Sequence, residues 1–145
     1  MRCAIGSDDV GPLTDALLEE LERRGVAVER FGALRDPGDD SGSEWASIGR
    51  AVGAQVAAAK ADLGIVCCWT GTGISIAANK VRGVRAALCA DAATAAGARR
   101  WNDANVLALS LRATSGAVGR EILAAFLEAE TSADAADRRS IAAIE

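Results

Sequence analysis

Along most of this chain, short continuous apolar runs alternate with stretches whose apolar residues recur every three or four positions. Runs rich in Val, Ile, Leu and Cys stand at 3–5, 26–31, 63–67, 84–88 and 106–109. Each is strand-length and nearly unbroken by polar residues, the pattern of strands buried on both faces. The intervening periodicity is helical. Leu13, Leu17 and Leu21 form one stripe, with Glu19/Arg23 and Glu20/Arg24 spaced to pair outside it and Gly25 placed to stop the helix. Ile48, Val52 and Val56 mark a second helix over 45–59, and Val118, Ile122 and Phe126 a third before a polar tail. Strands alternating with helices predict an α/β fold with a parallel sheet and crossover helices. The strongest turn chemistry, over 35–42, reads as the one long loop.

Composition narrows the function classes. The chain has 145 residues, 50% hydrophobic and 25% charged, with 15 Gly and only 2 Pro, so one domain over 1–145 is expected, with 131–145 as a terminal helix or tail. A net charge of −4 without clustered Lys or Arg gives no basis for a nucleic-acid or anionic-membrane partner. No apolar segment is long enough to span a bilayer and no signal-peptide core opens the chain, so a soluble cytoplasmic protein is expected. The cysteines at 3, 67, 68 and 89 lack C-x-x-C spacing, and the chain has no histidine. Neither a metal nor a cofactor is therefore expected.

Ligands of open parallel sheets gather where strands end and helices begin, which singles out Gly6-Ser7-Asp8-Asp9 after the first strand and the segment from Cys67 to Ser75 after the third. Gly71-Thr72-Gly73 opens a helix through Ile74-Ser75-Ile76-Ala77-Ala78-Asn79, so free backbone amides should converge on an anion there. Cys67 and Cys68 point to opposite faces of their strand, so only one can face that cradle; a thiol at a helix N-terminus suits a general base or nucleophile. The Asp8-Asp9 pair is also found in receiver domains, but the third strand has Cys68 where such a domain needs an aspartate and the fifth has Ser110 where it needs a lysine.

These segments, with Ala61-Asp62-Leu63-Gly64-Ile65, Ser75-Ile76-Ala77-Ala78-Asn79-Lys80, Gly83-Val84-Arg85-Ala86-Ala87-Leu88-Cys89 and Asn102-Asp103-Ala104-Asn105-Val106-Leu107, closely resemble the ribose-5-phosphate isomerase B and galactose-6-phosphate isomerase family, collinearly over nearly the whole chain. The resemblance implies a Rossmann-like three-layer sandwich with a five-stranded parallel sheet, a homodimer or dimer of dimers with sites at the subunit interface, and metal-independent aldose–ketose isomerisation through an enediolate. It assigns the proton-shuttling base to Cys68 and a hydroxyl near the substrate oxygens to Thr70. Gly71, Thr72, Gly73 and Ser75 fall on the backbone anion hole, Asp8 and Asn102 on sugar-hydroxyl contacts, and Arg112 on a phosphate contact.

The departures fall on ring opening and phosphate binding. The family's S-D-H is Ser7-Asp8-Asp9 here, and the ring-opening histidine of its H-N-D is Trp101. Its D-Y-P is replaced by Ser43-Glu44-Trp45, and its two C-terminal arginines fall out of register with Arg138 and Arg139. Asp9 also adds negative charge where a phosphate is expected. The leading expectation is a sugar or sugar-like substrate that is open-chain or unphosphorylated, bound with Asp9 and Trp101 lining the site. Ordinary sugar-phosphate isomerisation, with Arg112 and a shifted Arg138 or Arg139, is the alternative. Epimerisation, dehydration or decarboxylation through the same anion, or a non-catalytic binding subunit, also stay open.

Overall fold

The computed structural model describes residues 1–35 and 44–144; beyond Arg35, the loop expected over 35–42 lies outside them, as does Ser43. The strands are β1 (Arg2–Ser7), β2 (Ala27–Gly32), β3 (Leu63–Cys68), β4 (Ala86–Leu88) and β5 (Val106–Ser110). All pair in parallel, in the order β2-β1-β3-β5-β4. The helices are α1 (Pro12–Arg23), α2 (Trp45–Ala57), α3 (Thr72–Asn79), α4 (Ala92–Asn102), α5 (Gly116–Glu128) and α6 (Ala135–Ala142).

The two sheet faces follow from strand alternation. Cys3, Ile5, Ile65, Cys67, Leu107 and Leu109 pack with Leu13, Leu17, Leu21, Ile122 and Phe126 beneath α1, α4 and α5. Ala4, Val66, Cys68, Val106 and Ala108 pack with Ile48, Val52 and Ile74 beneath α2 and α3. The result is the three-layer Rossmann-like sandwich with its five parallel strands. Because the chain leaves β1 toward α1 on one face and β3 toward α3 on the other, the carboxyl ends of β1 and β3 flank the crevice that such sheets use for ligands.

Several local expectations shift. Gly25 ends α1 at φ +66°, but Glu20 is buried rather than outside, bound by both Arg23 and Arg24, while Glu19 pairs with Arg120. Strand β4 has only three residues; just before it the Arg85 N–H is taken by the Asn105 side-chain oxygen at 2.8 Å rather than by a strand carbonyl. Trp101, expected to line the site, stands in the last turn of α4. Among the described residues no helix is long and apolar enough to cross a membrane.

Candidate active site

The site is built on the last residues of β1 and β3 and the turns that follow them. Cys68 ends β3, opposite Ser110 of β5, and is only 4% exposed. Its carbonyl accepts the N–H of Gly71 at 3.1 Å and that of Leu111 at 3.0 Å. The Ser110 hydroxyl donates to the Trp69 carbonyl at 2.9 Å, and the Arg112 N–H donates to the same carbonyl at 3.1 Å. Two adjacent loops are thereby tied into one rigid rim.

Gly71 makes the turn into α3 possible. It sits at φ +75°, where a side chain is strained, and a Cβ would come within 2.6 Å of Leu88 Cδ1 and 2.9 Å of the Leu109 carbonyl. The helix has no side-chain cap, and its first ladder bond from this turn is Ser75 N–H to the Gly71 carbonyl at 3.2 Å. The amides of Thr72, Gly73 and Ile74 are therefore the unpaired first-turn donors that suit an anion. The Thr70 and Thr72 hydroxyls share a hydrogen bond of 2.7 Å at the edge of this cradle, and Ser75 is buried just behind it.

The vicinal cysteines separate as strand alternation requires. Cys67 enters the core under α1, α4 and α5, where burial first, then the proximity of Cys68 and Asp8, pushes its thiol far up. Cys68 lies on the face that α3 covers. Asp8 directly follows Ser7, the last residue of β1, which pairs with Cys67 of β3. Its Oδ1 is buried without a hydrogen-bond partner, and desolvation, against a bond from its own backbone and reinforced by Asp9, raises its carboxyl above the usual range. Asp9 is exposed, and its Oδ1 accepts the Val10 N–H at 2.8 Å. Beside Cys68, a groove of about 400 Å³ runs between Thr70, Cys89, Ser110, Arg112 and Thr114. Neither Arg112 nor Asp8 has an ion-pair partner among the described residues.

Within one chain, Trp101 and Asn102 do not join this group. α4 runs back toward the start of β5, and Asp103-Ala104-Asn105 connects directly into Val106. Asn105 accepts the Gly64 N–H at 2.9 Å, at the beginning of β3. From Val106 to Ser110 the sheet rises about 13 Å, so the expected site is divided between the two ends of the sheet. Arg138 and Arg139 are exposed on α6, which packs on α4 and follows a segment tied to Arg100 through Ser132. Sequence reasoning did not single out Ser110 as part of the rim; only the register that sets it opposite Cys68 reveals that role.

Residues 3–144 match the family described as Ribose/Galactose Isomerase. The galactose-6-phosphate isomerase subunit LacB of Clostridium acetobutylicum is 37% identical over 131 residues, covering 90% of this chain and 73% of that protein. The structure of Clostridium thermocellum ribose-5-phosphate isomerase B superposes with a TM-score of 0.88 at 36% identity, covering 99% of this chain and 95% of the other. That of Mycoplasma genitalium ribose-5-phosphate isomerase B, with ribulose 5-phosphate bound, does so with a TM-score of 0.85 at 32% identity, covering 99% and 93%. With all of its sheet but Arg2, and both ends of its site, inside the matched span, this chain belongs to the ribose/galactose isomerase family.

Proposed function

We propose that the chain interconverts an aldose phosphate and its ketose phosphate, with Cys68 as the base. The observation that carries this is the placement of the Cys68 thiol on the face covered by α3, whose first-turn amides have no partner inside the helix. As a thiolate, Cys68 takes the proton from the hydroxyl-bearing carbon next to the carbonyl. The C–H electron pair becomes the enediolate double bond, and the former carbonyl oxygen takes negative charge facing the amides of Thr72, Gly73 and Ile74. The thiol then returns the proton to the neighbouring carbon. The Thr70–Thr72 hydroxyl pair moves the oxygen-bound proton between the two substrate oxygens. Asp8, with one oxygen unpartnered, accepts a sugar hydroxyl.

The expectation of an unphosphorylated substrate gives way here. The related proteins carry names of sugar-phosphate isomerases, one with ribulose 5-phosphate bound, and Arg112 offers at the rim a guanidinium with no ion-pair partner among the described residues. An acyclic sugar phosphate suits a chain without histidine best, because it needs no separate group to open a ring. The division of Trp101 and Asn102 from Cys68 supports a homodimer in which the second copy completes each site.

The test is isomerisation of ribose 5-phosphate, ribulose 5-phosphate and galactose 6-phosphate by the wild type, Cys68→Ala and Asn102→Ala. Loss of the base should lower kcat by about 10²–10⁴-fold. Mixing the two inactive variants should restore part of the activity through hybrid dimers. Full turnover by Cys68→Ala would overturn the mechanism, and no recovery on mixing would overturn the shared site.

A further inference from the structure

Trp45 opens α2 at the carboxyl end of the sheet and remains 46% exposed. Its ring atoms Cε3, Cδ2 and Cζ3 lie 3.1, 3.2 and 3.2 Å from where a Cβ would stand on Gly73. Three nearly equal distances mean that the face of the six-membered ring lies against Gly73, and only a glycine there lets an indole come so close. Gly73 contributes one of the unpaired amides of the cradle, so the indole borders the cradle itself.

The position is fixed from behind. Ile48 and Val52, one and two turns along α2, are buried in the core. A Cβ on Gly49 would come within 2.7 Å of the Ile74 carbonyl, so α2 and α3 approach too closely for Trp45 to drift. The indole N–H has no hydrogen-bond partner among the described residues. An open apolar ring edge with a free N–H donor is suited to a sugar, whose C–H face packs on the ring while a hydroxyl accepts the N–H.

We propose that Trp45 is a specificity-determining wall of the active site, packing against the carbon chain of the sugar and keeping water from the enediolate. This rests on the isomerase reading above. Excluding water strengthens the amide–oxyanion interaction and limits exchange of the transferred proton with solvent.

The experiment runs wild type, Trp45→Phe and Trp45→Ala on ribulose 5-phosphate in heavy water, with circular dichroism as the check on folding. It also follows tryptophan fluorescence during titration with ribose 5-phosphate. Trp45→Ala should lose about tenfold in kcat, raise KM and carry more solvent deuterium per product formed, while Trp45→Phe recovers most of the rate. The ligand-induced fluorescence change of the wild type should shrink in Trp45→Phe to what Trp69 and Trp101 contribute. Unchanged kcat, KM and deuterium content in Trp45→Ala, or a fluorescence change in Trp45→Phe equal to that of the wild type, overturns the wall. A wild type that isomerises no sugar phosphate overturns the isomerase reading instead, and the fluorescence titration still decides whether a sugar phosphate sits on Trp45.

Discussion

Where the strands begin, a set of charged side chains is tied into ion pairs; where they end, Asp8, Asp9 and Arg112 have no ion-pair partner among the described residues. At the beginning, Asp103 holds Arg85 at 2.8 Å and Arg99 at 3.3 Å and accepts the Thr131 hydroxyl at 2.8 Å. Asn105 accepts the Arg85 N–H and donates to the Gly83 carbonyl, each at 2.8 Å. Glu20 binds Arg23 and Arg24, and Arg24 continues to Glu128, joining the ends of α1 and α5. At the other end, Asp8 Oδ1 and the Arg112 guanidinium are held in place without a partner among the described residues. One end invests its polar groups in stability and the other keeps them available for a ligand.

Substitutions at the two ends should therefore have opposite signs. The largest change is expected from Asp103→Ala, which removes the carboxylate that the largely buried Arg85 and Arg99 share and places alanine at φ 45°. A loss of about 2–3 kcal/mol should appear as a lower urea midpoint with unchanged slope. Glu20→Gln should cost about 1–2 kcal/mol at pH 7. The Arg23 hydrogen bond, then that of Arg24, holds this carboxyl at about 2 rather than 4.5. Because its folded value is depressed, the stabilisation is complete above pH 4.5 and fades as pH falls through about 2. Thermal melts of the wild type and Glu20→Gln should converge across that window.

The smallest effect runs the other way. Asp8→Ala removes an unpartnered buried oxygen and should stabilise the fold by about 1 kcal/mol at pH 7, while isomerisation falls. The Asp8 carboxyl is raised, so its charge costs stability above its folded value, and protonation at lower pH relieves that cost. The advantage of Asp8→Ala in thermal melts should shrink as pH falls. A variant less stable than wild type at pH 7 would break the contrast between the ends.

The sheet was legible because β1, β3 and β5 are apolar at nearly every position. Helix α4 was not singled out, since it buries only Ala95, Gly97 and Ala98 and shows no stripe of large side chains. The helix that carries Trp101 was therefore not foreseen. The residues around Cys68 were legible because strand alternation and the glycine turn act over a few positions. The distance to Asn102 was hidden because it depends on the direction in which α4 runs back beneath the sheet. Trp45 was visible as the start of a helix and as part of the segment that replaces D-Y-P; its place beside the cradle comes from the close approach of α2 to α3.

The strand order has a consequence for synthesis. β5 lies between β3 and β4 although it is made last, so the far side of β3 stays open until residues 106–110 emerge. At ordinary translation rates that interval is roughly 2–8 s. During it the Leu63–Cys68 strand, buried at every position in the finished sheet, presents an apolar edge able to pair with another chain. The time at which this protein is most exposed to misassembly is therefore set by the order of its strands, before the finished fold has any stability to protect it.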